Sequence, residues 1–239
     1  MKKRGGKNVK IRNKMEKEFI YWRHPSLPGI KIEEVSGGED KSGKLWKEMA
    51  YQLYCENGKG NYREIGHFHN GAPFLFGEES RISITHTDHF LAVATLPPTP
   101  EVELSEFNRR SAMGIDAERA DRSQVLKVRE RFLSDKELEM MPADDVRMNV
   151  IAWTVKEACY KALMTEGVDF RKDINIEKMP GISPAVTVYN HKEFPEIIYG
   201  RAVCRREEEE VELTLFTYES EGNIVTLAYS PKCAKFSKK

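Results

Sequence analysis

Met113-Gly114-Ile115-Asp116-Ala117-Glu118 decides how the rest of the chain is read. It follows a polar segment, Pro97 to Arg110, that opens on Pro97-Pro98-Thr99-Pro100 and reads as a connector. After that connector, the apolar pattern resumes as a short strand. Residues i and i+2 of a strand point to one face, so Asp116 and Glu118 present two carboxylates side by side. Ala117, between them, points the other way. Like charges held that close raise each other's pKa unless a cation separates them. A hard divalent ion such as Mg²⁺ takes oxygen ligands of this kind. A pair of solvated or salt-bridged carboxylates explains the same residues equally simply.

Downstream, Trp153-Thr154-Val155-Lys156-Glu157-Ala158-Cys159-Tyr160-Lys161 lies inside a helical pattern over Asp145–Thr165. On that helix Trp153, Glu157 and Lys161 are four apart and share one face. A surface Glu–Lys pair is one reading of them. An indole on the same stripe argues that the face is partly covered, where an unpaired Glu is costly and a metal or phosphate would satisfy both charges. Upstream, Arg81-Ile82-Ser83-Ile84-Thr85-His86 alternates as a strand and ends in a hydroxyl and an imidazole. His67, His69 and His89 are near in sequence. They allow a histidine zinc site or, more simply, hydrogen-bonded strand histidines.

Around these motifs the chain reads as mixed helices and strands. Leu45, Trp46, Met49, Leu53 and Tyr54 recur at helical spacing over Lys44–Tyr54. Asn70-Gly71, between Ile65–His69 and Pro73–Phe76, is a hairpin signal. Phe90–Ala94 reads as a buried strand and Ser123–Glu139 as a helix. Strands over Ala185–Tyr189, Ile197–Cys204, Glu212–Tyr218 and Asn223–Tyr229 close the chain. The order implies an α+β fold with mostly antiparallel sheets. No internal repeat is visible.

The chain has 239 residues, 40% of them hydrophobic, with 38 basic and 38 acidic side chains. That is enough apolar material for a sizeable core and excludes a disordered chain. The zero net charge hides an asymmetry: residues 1–17 carry eight basic side chains against Glu16, and four lysines follow Pro231, so the body is acidic. Basic ends either steer an anionic partner or serve solubility alone. Cys55, Cys159, Cys204 and Cys233 form no C-x-x-C pair, which fits a reducing compartment. No apolar run is long enough to span a membrane, and the basic N-terminus lacks a secretory signal's apolar stretch. A cytoplasmic protein with no nucleic-acid or membrane partner is expected.

Together, Gly114-Ile115-Asp116-x-Glu118 and Trp153-Thr154-x-Lys156-Glu157-Ala158-x-x-Lys161 resemble the paired signature of 4′-phosphopantetheinyl transferases. Gly71-Ala72-Pro73 is similar to that family's G-K-P turn, with Ala72 in place of the lysine. Ser83-Ile84-Thr85-His86-Thr87 resembles its S-x-S-H-S strand end. The likeness runs in the same order from about Lys44 to Tyr229. At this length the chain resembles the surfactin-synthetase-activating type, a monomer of two similar halves about a pseudo-twofold axis. The halves would be residues 1–110 and 111–239.

The resemblance implies transfer of the 4′-phosphopantetheine arm of coenzyme A to a serine of an apo acyl or peptidyl carrier protein, releasing adenosine 3′,5′-bisphosphate. Carriers of fatty-acid, polyketide and nonribosomal-peptide synthesis are all candidates. It implies Mg²⁺, replaceable by Mn²⁺, on Asp116, Glu118 and Glu157. Glu157 would be the base, Lys161 would serve the leaving phosphate, and Asp116 would be essential to the catalytic centre. Lys44, Gly71, Ala72, Pro73, Thr85, His86, Lys156 and Lys161 are its expected coenzyme contacts. The alternatives are a catalytically silent coenzyme A-binding module and a histidine-ligated zinc hydrolase.

Overall fold

The computed structural model describes residues 19–20, 30–36, 65–76, 80–96, 112–183, 198–206 and 208–231. The expected helix over Lys44–Tyr54 (and Lys44 with it), the connector 97–110, the strand 185–189 and both basic ends lie outside these residues.

Two sheets of antiparallel strands carry the described chain, with few helices, as an α+β fold requires. The first contains β1 (Phe19–Ile20), β2 (Lys31–Ser36), β3 (Ile65–His67), β4 (Pro73–Leu75), β5 (Arg81–His86) and β6 (Phe90–Leu96), ordered β1-β2-β6-β5-β4-β3. The Asn70-Gly71 turn forms as expected, pairing His67 with Pro73. Gly71 adopts φ +79°, and the Asn70 side chain accepts from Ala72 N at 3.1 Å. β2 was not visible in the sequence reading.

The second sheet runs β7 (Ala112–Arg119), β12 (Asn223–Ser230), β11 (Glu209–Ser220), β10 (Gly200–Arg206) and β8 (Ile174–Lys178). The short β9 (Ile182–Ser183) lies parallel to β11 beyond the reach of β10. Every residue of β12 is buried, because both faces of this sheet are covered. Met113, Ile115, Ala117, Val225 and Leu227 pack with Ile32, Phe90, Ala92 and Ala94 of the first sheet. The other face packs on the helices through Ala112, Ala228, Leu213, Val155, Ala158 and Ala162.

Three helices follow β7: α1 (Val125–Phe132), α2 (Asp135–Met140) and α3 (Val146–Leu163). The sequence suggested one helix over Ser123–Glu139; the chain instead breaks at Leu133-Ser134, where both residues are extended. The break is a capping box. Ser134 Oγ accepts from Glu137 N, and Glu137 Oε2 accepts from Ser134 N at 2.7 Å. α3 is capped by Asp145, whose side chain accepts from Met148 N at 2.9 Å, and ends at Met164 with φ 50°. None of the helices among the described residues is long and apolar enough to cross a membrane.

Candidate active site

β7 and α3 meet at Gly114. A Cβ there would stand 2.1 Å from Ala158 O and 2.5 Å from Ala162 N, so only glycine lets the helix backbone lie against the strand. Period two then turns Asp116 and Glu118 toward the helix, while Met113, Ile115 and Ala117 enter the inter-sheet core. On α3, Thr154 Oγ1 lies 2.8 Å from Thr226 Oγ1, which lies 2.8 Å from Thr217 Oγ1. This buried hydroxyl chain sets the helix against the sheet. It leaves Trp153, Glu157, Tyr160 and Lys161 half-buried beside β7.

Asp116 is 6% exposed. Lys161 Nζ donates to its Oδ1 at 2.7 Å and to Ile115 O at 3.1 Å, and Thr85 Oγ1 donates to the same Oδ1 at 3.2 Å. Asp116 Oδ2 is buried without a partner. Burial raises the carboxyl pKa above its ordinary value, opposed by the Lys161 charge. Thr85 arrives from the other sheet. β7 is an edge strand whose outward N–H groups need acceptors, and the hydroxyls of β5 supply them: Ile115 N donates to Ser83 Oγ at 3.0 Å and Ala117 N to Thr85 Oγ1 at 2.9 Å.

Glu118 receives Trp153 Nε1 on Oε1 at 2.9 Å, and Arg122 pairs with the same oxygen. The indole is wedged edge-on against Phe132, with ring centroids 4.9 Å apart. Glu157 stands one turn from Trp153. Burial, reinforced by the charges of Asp116 and Glu118, pushes its carboxyl up to about 7, against the pull of Lys161 and Arg122. Such a group exchanges a proton near neutrality. Beside Lys161 a cavity of about 220 Å³ opens, walled by the Asn70–Pro73 turn, Arg81, Ser83, Met113, Tyr160 and Thr165. Asn70 Nδ2 donates to Met164 O at 2.7 Å and Arg81 Nη2 to Ala162 O at 2.6 Å, so β-sheet side chains cap the carbonyl end of α3.

Residues 112–214, from the first residue of β7 through α3 and on into β11, match the family model of the 4′-phosphopantetheinyl transferase superfamily. Over that stretch the chain is similar to this superfamily. No curated protein matches the chain. The family transfers phosphopantetheine from coenzyme A to carrier proteins and uses a divalent metal.

Not every expected contact reaches the site. Lys156 does not. It is 0% exposed, and its Nζ donates to Glu137 Oε1 and Oε2 at 2.8 and 2.7 Å, to Phe170 O at 2.9 Å and to Ile174 O. One residue along a helix is a rotation of about 100°, which sends Lys156 into the core and leaves Glu157 half-buried on another face. Thr85 is committed to Asp116 and Ala117 N, which makes it a support for the carboxylate rather than an expected phosphate contact. Gly71, Ala72 and Pro73 line the cavity with Lys161. His86 is exposed at the end of β5.

Glu137 is a residue the sequence reading missed. It closes the capping box, salt-bridges Lys156 and accepts from Ile176 N at 2.7 Å. Ser134-x-x-Glu137, a capping-box spacing, was the signal available. Arg81 and Arg122 were also passed over.

The site suits a hard divalent ion in kind: its expected ligands are all carboxylate oxygens, and the buried Asp116 Oδ2 has no hydrogen-bond partner in the protein. Among the described residues, no three His, Cys, Asp or Glu side chains converge as they stand. The histidines, accordingly, form no zinc cluster among the described residues.

Proposed function

We propose that the protein transfers the 4′-phosphopantetheine arm of coenzyme A to a serine of an apo acyl or peptidyl carrier protein and releases adenosine 3′,5′-bisphosphate. The observation that carries this reading is the joint of β7 and α3. There Lys161, paired with Asp116, lines a cavity, and Glu157, with its carboxyl pushed up to about 7, lies one turn before Lys161 on the same helix.

The cavity would take part of the coenzyme, with the Asn70–Pro73 turn and Tyr160 as walls and Lys161 bringing positive charge to its phosphates. Asp116 and Ile115 O fix the Lys161 ammonium, so little side-chain entropy remains to be lost when an anion arrives. Glu157 accepts the proton of the carrier's serine hydroxyl as the oxygen attacks the β-phosphorus. Lys161 stabilises charge growing on the leaving phosphate oxygen. Asp116, Glu118 and Glu157 would hold Mg²⁺ or Mn²⁺, which when bound neutralises pyrophosphate charge. The two-sheet build and the chain length support the two-half, monomeric branch, with residues 1–110 and 111–239 as the halves.

Incubation with coenzyme A, Mg²⁺ and a panel of apo carriers, read by intact mass, tests the proposal. A carrier heavier by one phosphopantetheine arm is the expected result. A panel left unmodified, with coenzyme A binding intact, would favour the silent binding module instead.

A further inference from the structure

Glu118 is one of the expected metal ligands, yet its Oε1 already carries a cation and an indole N–H. Arg122 pairs with its Oε1, on the turn that leaves β7, where Arg122 N donates to Arg119 O at 3.1 Å. The Glu118 side chain is 19% exposed and that of Arg122 43%, so the guanidinium reaches inward to an acid that is largely enclosed. Trp153 Nε1 holds the same oxygen at 2.9 Å, which fixes the carboxylate in this orientation. Lys161 neutralises Asp116 in the same way, on Oδ1 alone, and leaves Oδ2 buried without a partner. Asp116 and Glu118 thus have side-chain cations of their own, and no three ligating groups converge among the described residues. The neighbouring Arg119 behaves differently. It is spent on Asp121, with Nε and Nη2 at 2.9 and 2.7 Å from the two carboxylate oxygens, out in solvent.

We propose that Arg122 is a resident counter-ion of the metal site: it already neutralises Glu118 through Oε1, and a divalent ion competes with it for that carboxylate when Glu118 joins Asp116 and Glu157. This inference rests on the transferase reading of the carboxylates. The two cations compete for one carboxylate, so binding the ion costs the energy of the Arg122 pair. Metal affinity is therefore tuned by a residue that never touches the ion. Arg122 is a positioning residue in this scheme, not a catalytic one.

Binding of Mn²⁺ alone, followed by electron paramagnetic resonance on the full chain without coenzyme, tests it. Arg122→Gln should tighten Mn²⁺ binding roughly two- to fivefold, the factor that a partly exposed ion pair converts to. Arg119→Gln should leave binding unchanged. In a Glu118→Gln background, where no pair exists to break, Arg122→Gln should have no effect; this separates competition from the loss of a distant positive charge. Unchanged or weaker binding in Arg122→Gln overturns the inference, as does a tightening that persists with Glu118→Gln. If wild-type protein still modifies a carrier in either of those cases, the transferase reading survives alone. If neither wild type nor Arg122→Gln binds Mn²⁺ and no carrier is modified, both fall together.

Discussion

Lys156 and Lys161 lie on one helix, five residues apart, and each faces an acid, yet the two pairs do opposite work. Lys156 is sealed in the core, where Glu137 and two backbone carbonyls take up its ammonium protons. Burial lowers its pKa while Glu137 holds it up. Lys161 is 29% exposed in its side chain, and its partner Asp116 keeps one oxygen unmatched. A saturated pair has nothing to offer a ligand and serves to lock α2, α3 and β8 together. An unsaturated pair keeps an oxygen that can still accept. Satisfaction of hydrogen bonds, more than the identity of the residues, separates scaffold from site.

The largest effect should come from breaking the saturated pair. Lys156→Met leaves Glu137 buried without its cation, and unfolding in denaturant should show a loss of about 3–5 kcal/mol. Adding Glu137→Gln, which keeps a carbonyl for Ile176 N, should recover part of it. Lys161→Met should cost less, because the buried Asp116 carboxyl, already raised, can take up a proton once the ammonium is gone, while transfer is abolished. If the two lysines proved equally destabilising when replaced, the contrast would fail.

Next in size is Glu157→Gln. The rate should fall by roughly 10²–10⁴, the range for losing a general base, with coenzyme A binding only weakened. Stability should move the other way. The folded carboxyl, raised to about 7, binds its proton more tightly than the unfolded one, so wild type loses stability as pH climbs from the ordinary Glu range through 7. Without metal, the Gln variant should therefore melt higher than wild type at pH 8, and that gain should vanish below pH 5. An equal gain at both pH values would show that Glu157 does not carry the raised pKa.

Smaller effects probe the frame. Gly114→Ala forces β7 and α3 apart, costing about 1–3 kcal/mol and lowering activity more than the stability loss explains, because Asp116 and Lys161 ride on the two separated elements. Thr85→Val should cost about 1–2 kcal/mol by stranding Ala117 N and leave some activity, since Lys161 still holds Asp116. A Thr85→Val protein without measurable coenzyme A affinity would restore Thr85 to the ligand contacts.

Much of this architecture was legible in the residues. Gly114–Glu118, the Trp153–Lys161 stripe, the Asn70-Gly71 turn and the last strands all declare themselves by short-range rules of period and turn chemistry. What failed was rotation and partnership. Helical periodicity puts Lys156 and Glu157 on different faces but not which one meets the cleft, and α3 is buried on most sides, so its polarity offers no guide. Thr85 reads as a ligand contact until β7 is found beside it with two unpaired donors. The break at Leu133-Ser134 hid inside a continuous helical pattern. β8 escaped because Ile174-Asn175-Ile176-Glu177-Lys178 gains its place from pairing with β10, which no local rule foresees.

The hydroxyls of Ser83 and Thr85 also bear on how the protein could be handled. They stand in for a missing neighbour along β7, and the apolar side chains of that strand lean on the first sheet. A truncated protein beginning at Ala112 would retain Asp116, Glu118, Glu157 and Lys161, but it would bare a raw strand edge backed by Met113, Ile115 and Ala117. Such an edge recruits strands from other molecules. Insoluble expression of that fragment, rescued by supplying the first sheet on a separate chain, would mark β5 as an intramolecular chaperone for β7.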